Sequence, residues 1–169
     1  MDNGPSLYDD DIVTWAEQQV TALRALAARG DLSNVVDWEN VIEEIESVGR
    51  SQIQGVESLL LQVLVHVLKY LSAPSAQSTG SWRVEVVAFQ RAARRNYKRA
   101  MQERIDWQAL WQDALANADV QLKVYGDRLI GGLPKTFPFE PEQLVAPDFD
   151  MDTALERLAA VLKSNADRH

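Results

Sequence analysis

Glu39, Glu43, Glu44 and Glu46, four carboxylates within eight residues, are the densest set of groups in this chain that could do chemistry. On a helix turning about 100° per residue, Glu39, Glu43 and Glu46 share one face with Arg50. Carboxylates on facing helices can hold metal ions, but that arrangement takes a Glu-x-x-His on the same face. Three residues after Glu43 stands Glu46, and no histidine is near. The row therefore reads as a solvated ridge, or as a partner for a basic helix, placed at the electropositive start of a helix. A metal on Glu43, Glu44 and Glu46 is a second alternative, and no metal ligand is assigned.

His66 is the one histidine inside the body of the chain, the other being His169 at its end. On a straight helix the 22 residues between Glu44 and His66 span roughly 33 Å, so the two cannot share a site. A core histidine with a hydrogen-bonded ring nitrogen accounts for it. Zero cysteines exclude a Cys-His set, and nothing places a serine and an acid beside His66. No catalytic residue is assigned, the balance leans away from an enzyme, and no cofactor is expected.

A row of basic residues, Arg83, Arg91, Arg94, Arg95 and Lys98, could contact phosphates, with Trp82 and Tyr97 as stacking partners were they exposed. Both aromatics fall on the apolar face of the same helix, which makes them core. Charge is unevenly spread. Residues 1–57 carry twelve acids against three bases, and 83–104 carry seven bases against two acids. Complementarity between those halves competes with phosphate binding, and the net charge of −8 argues against general nucleic-acid or anionic-membrane binding.

The elements that position these groups follow from periodicity. From Asp37 to Leu71 the chain predicts one long helix around which the rest packs. Asp37 is a good N-cap, with Val36 and Val41 as a staple, and Lys69 sits in the last turn. From Leu59 onward nearly every side is apolar, broken only by Gln62, His66 and Lys69. Such a segment must be surrounded by protein or lipid. Lipid is disfavoured because the run falls short of the roughly 20 apolar residues a bilayer needs. Gly49 and Gly55 are its weak points.

A first helix is expected over 7–29, capped by Ser6, with Ile12, Trp15, Ala16, Gln19, Leu23 and Leu26 inward. A third is expected over 82–104 after a Ser-rich loop, and a fourth over 107–129, capped by Asp106 and stopped by Gly131, Gly132 and Pro134. The segment 134–150, with four prolines and three phenylalanines, reads as a strap pinned by aromatics, holding one turn after Pro141. A last amphipathic helix follows over 152–164, able to mediate self-association. The expected fold is all-α: an antiparallel bundle of about four main helices, one domain over 1–150, with a C-terminal helix and tail over 151–169.

Leu7-Tyr8 with Asp10 and Trp15, the segment DWENVIEEIESVG at 37–49, the run VLVHVLKY with His66 and Lys69, Ser81-Trp82-Arg83, and the Phe-Pro strap from Phe137 to Leu144 together resemble a known family. It is the bacterial family catalogued as domain of unknown function twenty-nine, and the likeness covers roughly 6–149. It implies a helical bundle in a bacterial, cytoplasmic protein and brings no activity. Asp37, Asn40, Glu43, Glu44, Glu46, His66, Lys69 and Trp82 are the motif candidates it marks. Two departures stand out: a glycine-rich end of the fourth helix where the family has an acidic turn, and the added helix after residue 150. The leading functional expectation is a non-catalytic interaction module with a protein partner or a second copy. Nucleic-acid binding through 83–104 is the alternative, and no membrane association is expected.

Overall fold

The computed structural model describes residues 6–31 and 34–167, and among these residues it is helical with no strand. Seven α-helices follow in order: α1 Leu7–Asp10, α2 Ile12–Ala27, α3 Trp38–Ser72, α4 Thr79–Asn96, α5 Trp107–Val124, α6 Pro141–Leu144 and α7 Met151–Ala166, with a 3-10 turn Arg99–Glu103 after α4. They form two compact units. One holds the described residues up to Gly55 with Lys98–Arg104, and the other holds Val56–Tyr97 with the described residues from Ile105 onward. Helix α3 gives its first half to the N-terminal unit and its second half to the C-terminal unit.

In the C-terminal unit the second half of α3 is the hub. Val56, Leu60, Val63, Leu64, Val65, Val67 and Leu68 are all at most 1% exposed. The length and hydropathy of α3 would also suit a bilayer span. Here, however, protein already covers its apolar run. Around it pack Trp82, Val86 and Ala93 of α4, Leu110, Trp111, Ala114, Ala118 and Leu122 of α5, and Met151, Ala154 and Leu158 of α7. The apolar stripe of α7 is thus used inside its own unit.

The N-terminal unit has a smaller core of Val13, Ala16, Val20, Gly49 and Met101. Of the expected inward stripe, Ile12, Trp15, Ala16, Gln19, Leu23 and Leu26, Ala16 is buried, Ile12, Trp15, Gln19 and Leu23 are half-buried, and Leu26 is exposed. The fully buried edge is Val13–Ala16–Val20, with Ala16 facing Gly49 of α3, and Leu26 is left 39% exposed.

Three helix limits differ from expectation. The helix expected over 7–29 is broken at Asp11, whose extended backbone ends α1 while its carboxylate accepts from the backbone N–H of Thr14 at 3.1 Å and so caps α2. The helix expected over 82–104 starts earlier and stops at Asn96, where Tyr97 and Lys98 turn extended; the 3-10 turn that follows buries Met101 completely. Helix α5 ends at Val124 rather than near 129, because Gly126 takes the left-handed conformation (φ 81°) that closes a helix C-terminus.

Candidate functional site

The acidic motif resolves first into helix construction. Asp37 accepts from the backbone N–H of Asn40 at 3.2 Å and from its side-chain amide at 2.6 Å, so these two residues cap α3. Glu43 receives Arg50 at 2.5 Å, and Glu46 receives Arg24 at 2.5 Å and Arg50 at 3.6 Å. Glu46, Arg24 and Arg50, together with Glu17, which holds Arg104 through two hydrogen bonds of 2.6 and 2.9 Å, wall a cleft of about 390 Å³ over Val13, Ala16, Val20 and Ile53, outside which Glu43 lies. Each carboxylate there faces a guanidinium. Among the described residues no three histidines, cysteines or acids gather as a metal site requires. Glu44 lies off this face and is exposed.

The second candidate set, on the C-terminal half of α3, is a buried polar seam. His66 is 6% exposed; its Nδ1 lies 2.7 Å from the Gln62 carbonyl and its Nε2 lies 2.5 Å from Glu85 Oε2. The ring also packs on Phe89 at 5.7 Å. Both nitrogens are engaged by protein oxygens, so neither is directed at an open cleft. Ser81 donates to Glu85 at 3.3 Å, so it is not paired with the imidazole as an activated nucleophile would be. Lys69, also 6% exposed, donates to Gln121 Oε1 at 3.0 Å and sits 4.8 Å from the centre of the Trp82 ring. Burial lowers its pKa from the ordinary lysine value, and the nearby Glu85 charge opposes that shift.

Trp82 is itself core, packed with Ala73 and Leu122. Next to it Arg83 donates to Asp152 at 2.7 Å and to the Tyr70 hydroxyl at 3.1 Å, while its guanidinium lies over the Tyr70 ring. The hydrogen bond from Arg83 holds the Asp152 carboxyl below its usual range. Chemically this seam cross-braces α3, α4, α5 and α7.

The remaining basic residues behave differently. Arg91, Arg94 and Arg95 are exposed, and none makes an ion pair among the described residues, whereas Arg24, Arg50, Arg83 and Arg104 all do. Lys98 is half-buried. In line with these arginines on the same face of α4 stand Val84, 70% exposed, and Val87, 47% exposed. An apolar start and a basic end make this outer face of α4 an open, positively charged surface.

A family model described as domain of unknown function DUF29 matches residues 7–150. The chain belongs to that family. A crystal structure of an alpha-helical protein of unknown function from Rhodospirillum rubrum is similar to this DUF29 chain at 33% identity and a TM-score of 0.80, over 92% of this chain and 99% of that one. No curated protein matches the sequence. Among the eight candidate residues read from the sequence, the geometry separates caps (Asp37, Asn40), ion pairs (Glu43, Glu46) and core groups (His66, Lys69, Trp82) from the exposed Glu44.

Three residues that sequence reasoning did not single out complete the seam and the strap. Glu85 and Gln121 are the partners of His66 and Lys69. Gln90, 5% exposed, donates through one amide nitrogen to the carbonyls of Leu144 (3.1 Å) and Ala146 (2.9 Å). A glutamine between Val86 and Ala93 on a buried arc was the available signal for the last.

Proposed function

We propose that this protein is a non-catalytic helical interaction module of the bacterial cytoplasm, and that it docks a protein partner through the outer face of α4. One observation carries the reading: Val84 and Val87 are exposed in line with Arg91, Arg94 and Arg95, which have no counter-charge among the described residues. A partner for that face is an amphipathic helix with apolar and acidic residues, laid along α4 in the manner of helix-in-groove recognition. A chain without cysteine suits a reducing compartment.

The arginines alone would also suit phosphates. Two features favour a protein: the valines that continue their line, and a net charge of −8 that opposes a polyanion. Fluorescence anisotropy of two labelled probes separates them. A designed helix of alternating Leu and Glu heptad positions is expected to bind and to be lost in the Val84→Ser/Arg91→Ser/Arg94→Ser variant. A single-stranded oligonucleotide is expected not to bind at low salt. Oligonucleotide binding abolished by the same variant would replace this reading with nucleic-acid recognition, and binding of neither probe would end it.

A further inference from the structure

The exposed ridge on α4 has a complement elsewhere in the same chain. Along α4, Val84, Val87, Arg91 and Arg94 recur at intervals of three, four and three residues, the spacing of a helix-pairing seam. Along the first half of α3, Val41, Glu44, Val48 and Ser51 recur at the same intervals. This second ridge is also open: Val41 is 39% and Val48 40% exposed, Glu44 and Ser51 are exposed, and Glu44 makes no ion pair among the described residues. It is separate from the face on which Glu43 and Glu46 hold their arginines.

Resting on the docking reading above, we propose that the occupant of the α4 ridge is the α3 ridge of a second copy of this chain. Laid antiparallel, the two seams set Val87 against Val48, Arg91 against Glu44, Val84 against Ser51 and Arg94 against Val41. That gives one apolar layer beside one ion-pair layer. A parallel register from the same starting valines sets Val87 on Glu44 and Arg91 on Val48, which desolvates both charges without partners. Antiparallel placement also brings the basic C-terminal end of α4 to the acidic N-terminal end of α3, where both macrodipoles favour the match.

Because the two ridges are different surfaces, the contact is heterologous and joins copies head to tail. The paired seam is short, about 15 Å along the helix axis, so the association is weak and salt-sensitive.

Sedimentation of the full chain over a concentration series tests this. The mass average is expected to rise above the 19.0 kDa of one chain as concentration increases, and to fall back when salt is raised. Arg91→Glu alone and Glu44→Arg alone are each expected to hold the mass at one chain. The double variant, with the charges exchanged, is expected to regain association. Both residues are exposed, and circular dichroism checks that each variant keeps its helices. A wild-type chain that stays at one copy at every concentration overturns the proposal. So does association that either single reversal leaves intact, or that the double variant fails to restore. If the wild-type chain stays single while the Leu/Glu helix still binds α4, only the second-copy occupant is lost. If that helix fails too, the docking reading falls with it.

Discussion

His66 Nε2 and Glu85 Oε2 stand 2.5 Å apart and join the buried half of α3 to α4, yet the two partners meet water very differently: the imidazole side chain is 8% exposed and the carboxylate 43%. Removing one end is therefore not equivalent to removing the other. Glu85→Leu leaves a buried ring nitrogen without its acceptor, at a cost of about 1–2 kcal/mol. In His66→Leu the carboxylate is left at a half-open surface where water can replace the imidazole, and leucine suits the apolar surroundings, so the loss is below about 1 kcal/mol. Urea unfolding of the two variants at pH 7 measures the order. Equal losses would mean that Glu85 is not resolvated as its exposure implies.

Lys69 gives the protein a pH dependence of definite sign. Its folded pKa is lowered by burial, so between that value and the unfolded 10.5 the unfolded chain holds more protons. Stability from this group therefore rises with pH between the folded value and 10.5, and the penalty of the buried ammonium is fully present below the folded value. Lys69→Met keeps the length of the side chain and removes the charge. It is expected to change stability at pH 7 by less than about 1 kcal/mol and to abolish this alkaline gain. Guanidinium melts at pH 7, 9 and 10 for both proteins compare the slopes. An unchanged slope would show that another group produces it.

Sequence patterning exposed faces well and partners poorly. The run after Leu59 declared itself because it is apolar on nearly every side, and Asp37 declared itself as a cap by its place before that helix. Those properties are local. Glu85 could not be matched to His66 in this way, since the periodicity of α4 tells which residues share a side but not which residue of α3 lies opposite. Asp11 fell inside the single helix expected over 7–29 when it is the cap of α2, because an acid near a helix start suits either a cap or a first turn. Gly126 lost to Gly131 and Gly132 as the end of α5 because a glycine pair followed by proline is the louder stop signal, while the left-handed turn needs just one glycine. The strap was legible as aromatic, and Phe137 and Phe139 do pack on Trp107 and Trp111 at ring distances of 5.6 and 6.1 Å. Its hydrogen bonds from Gln90 and Trp111 are side chain to backbone, which no pattern of residue types encodes.

Gln90 is the side chain on which α6 and the turn after it depend. Its two acceptors are the carbonyls of Leu144, a residue 2% exposed, and of Ala146, which also accepts from the Phe149 backbone N–H at 3.2 Å. Gln90→Leu takes the side-chain donor from the Leu144 carbonyl and leaves Ala146 with the Phe149 N–H, and is expected to cost about 1–2 kcal/mol. Hydrogen exchange should quicken across 139–149 while the α3 amides in the 60–68 core keep their protection. Uniform acceleration through both segments would mean that the strap is not a separate, locally opening element.

The two glycines of α3 separate propensity from packing. The helix runs unbroken through both, so neither is a hinge required by the backbone. At Gly55 an added Cβ meets open space, and at Gly49 it would lie 3.7 Å from the Cβ of Ala16, an ordinary van der Waals contact. Alanine at either position should then stabilise the protein by roughly 1 kcal/mol, the difference in helix propensity. A larger residue divides them. Gly55→Leu remains on the surface and keeps most of the gain, whereas Gly49→Leu must push α2 off the Val13–Ala16–Val20 edge and should lose about 1–3 kcal/mol. Thermal unfolding of the four variants reads the pattern directly. A stabilising Gly49→Leu would show that the N-terminal unit has room which its small core does not suggest.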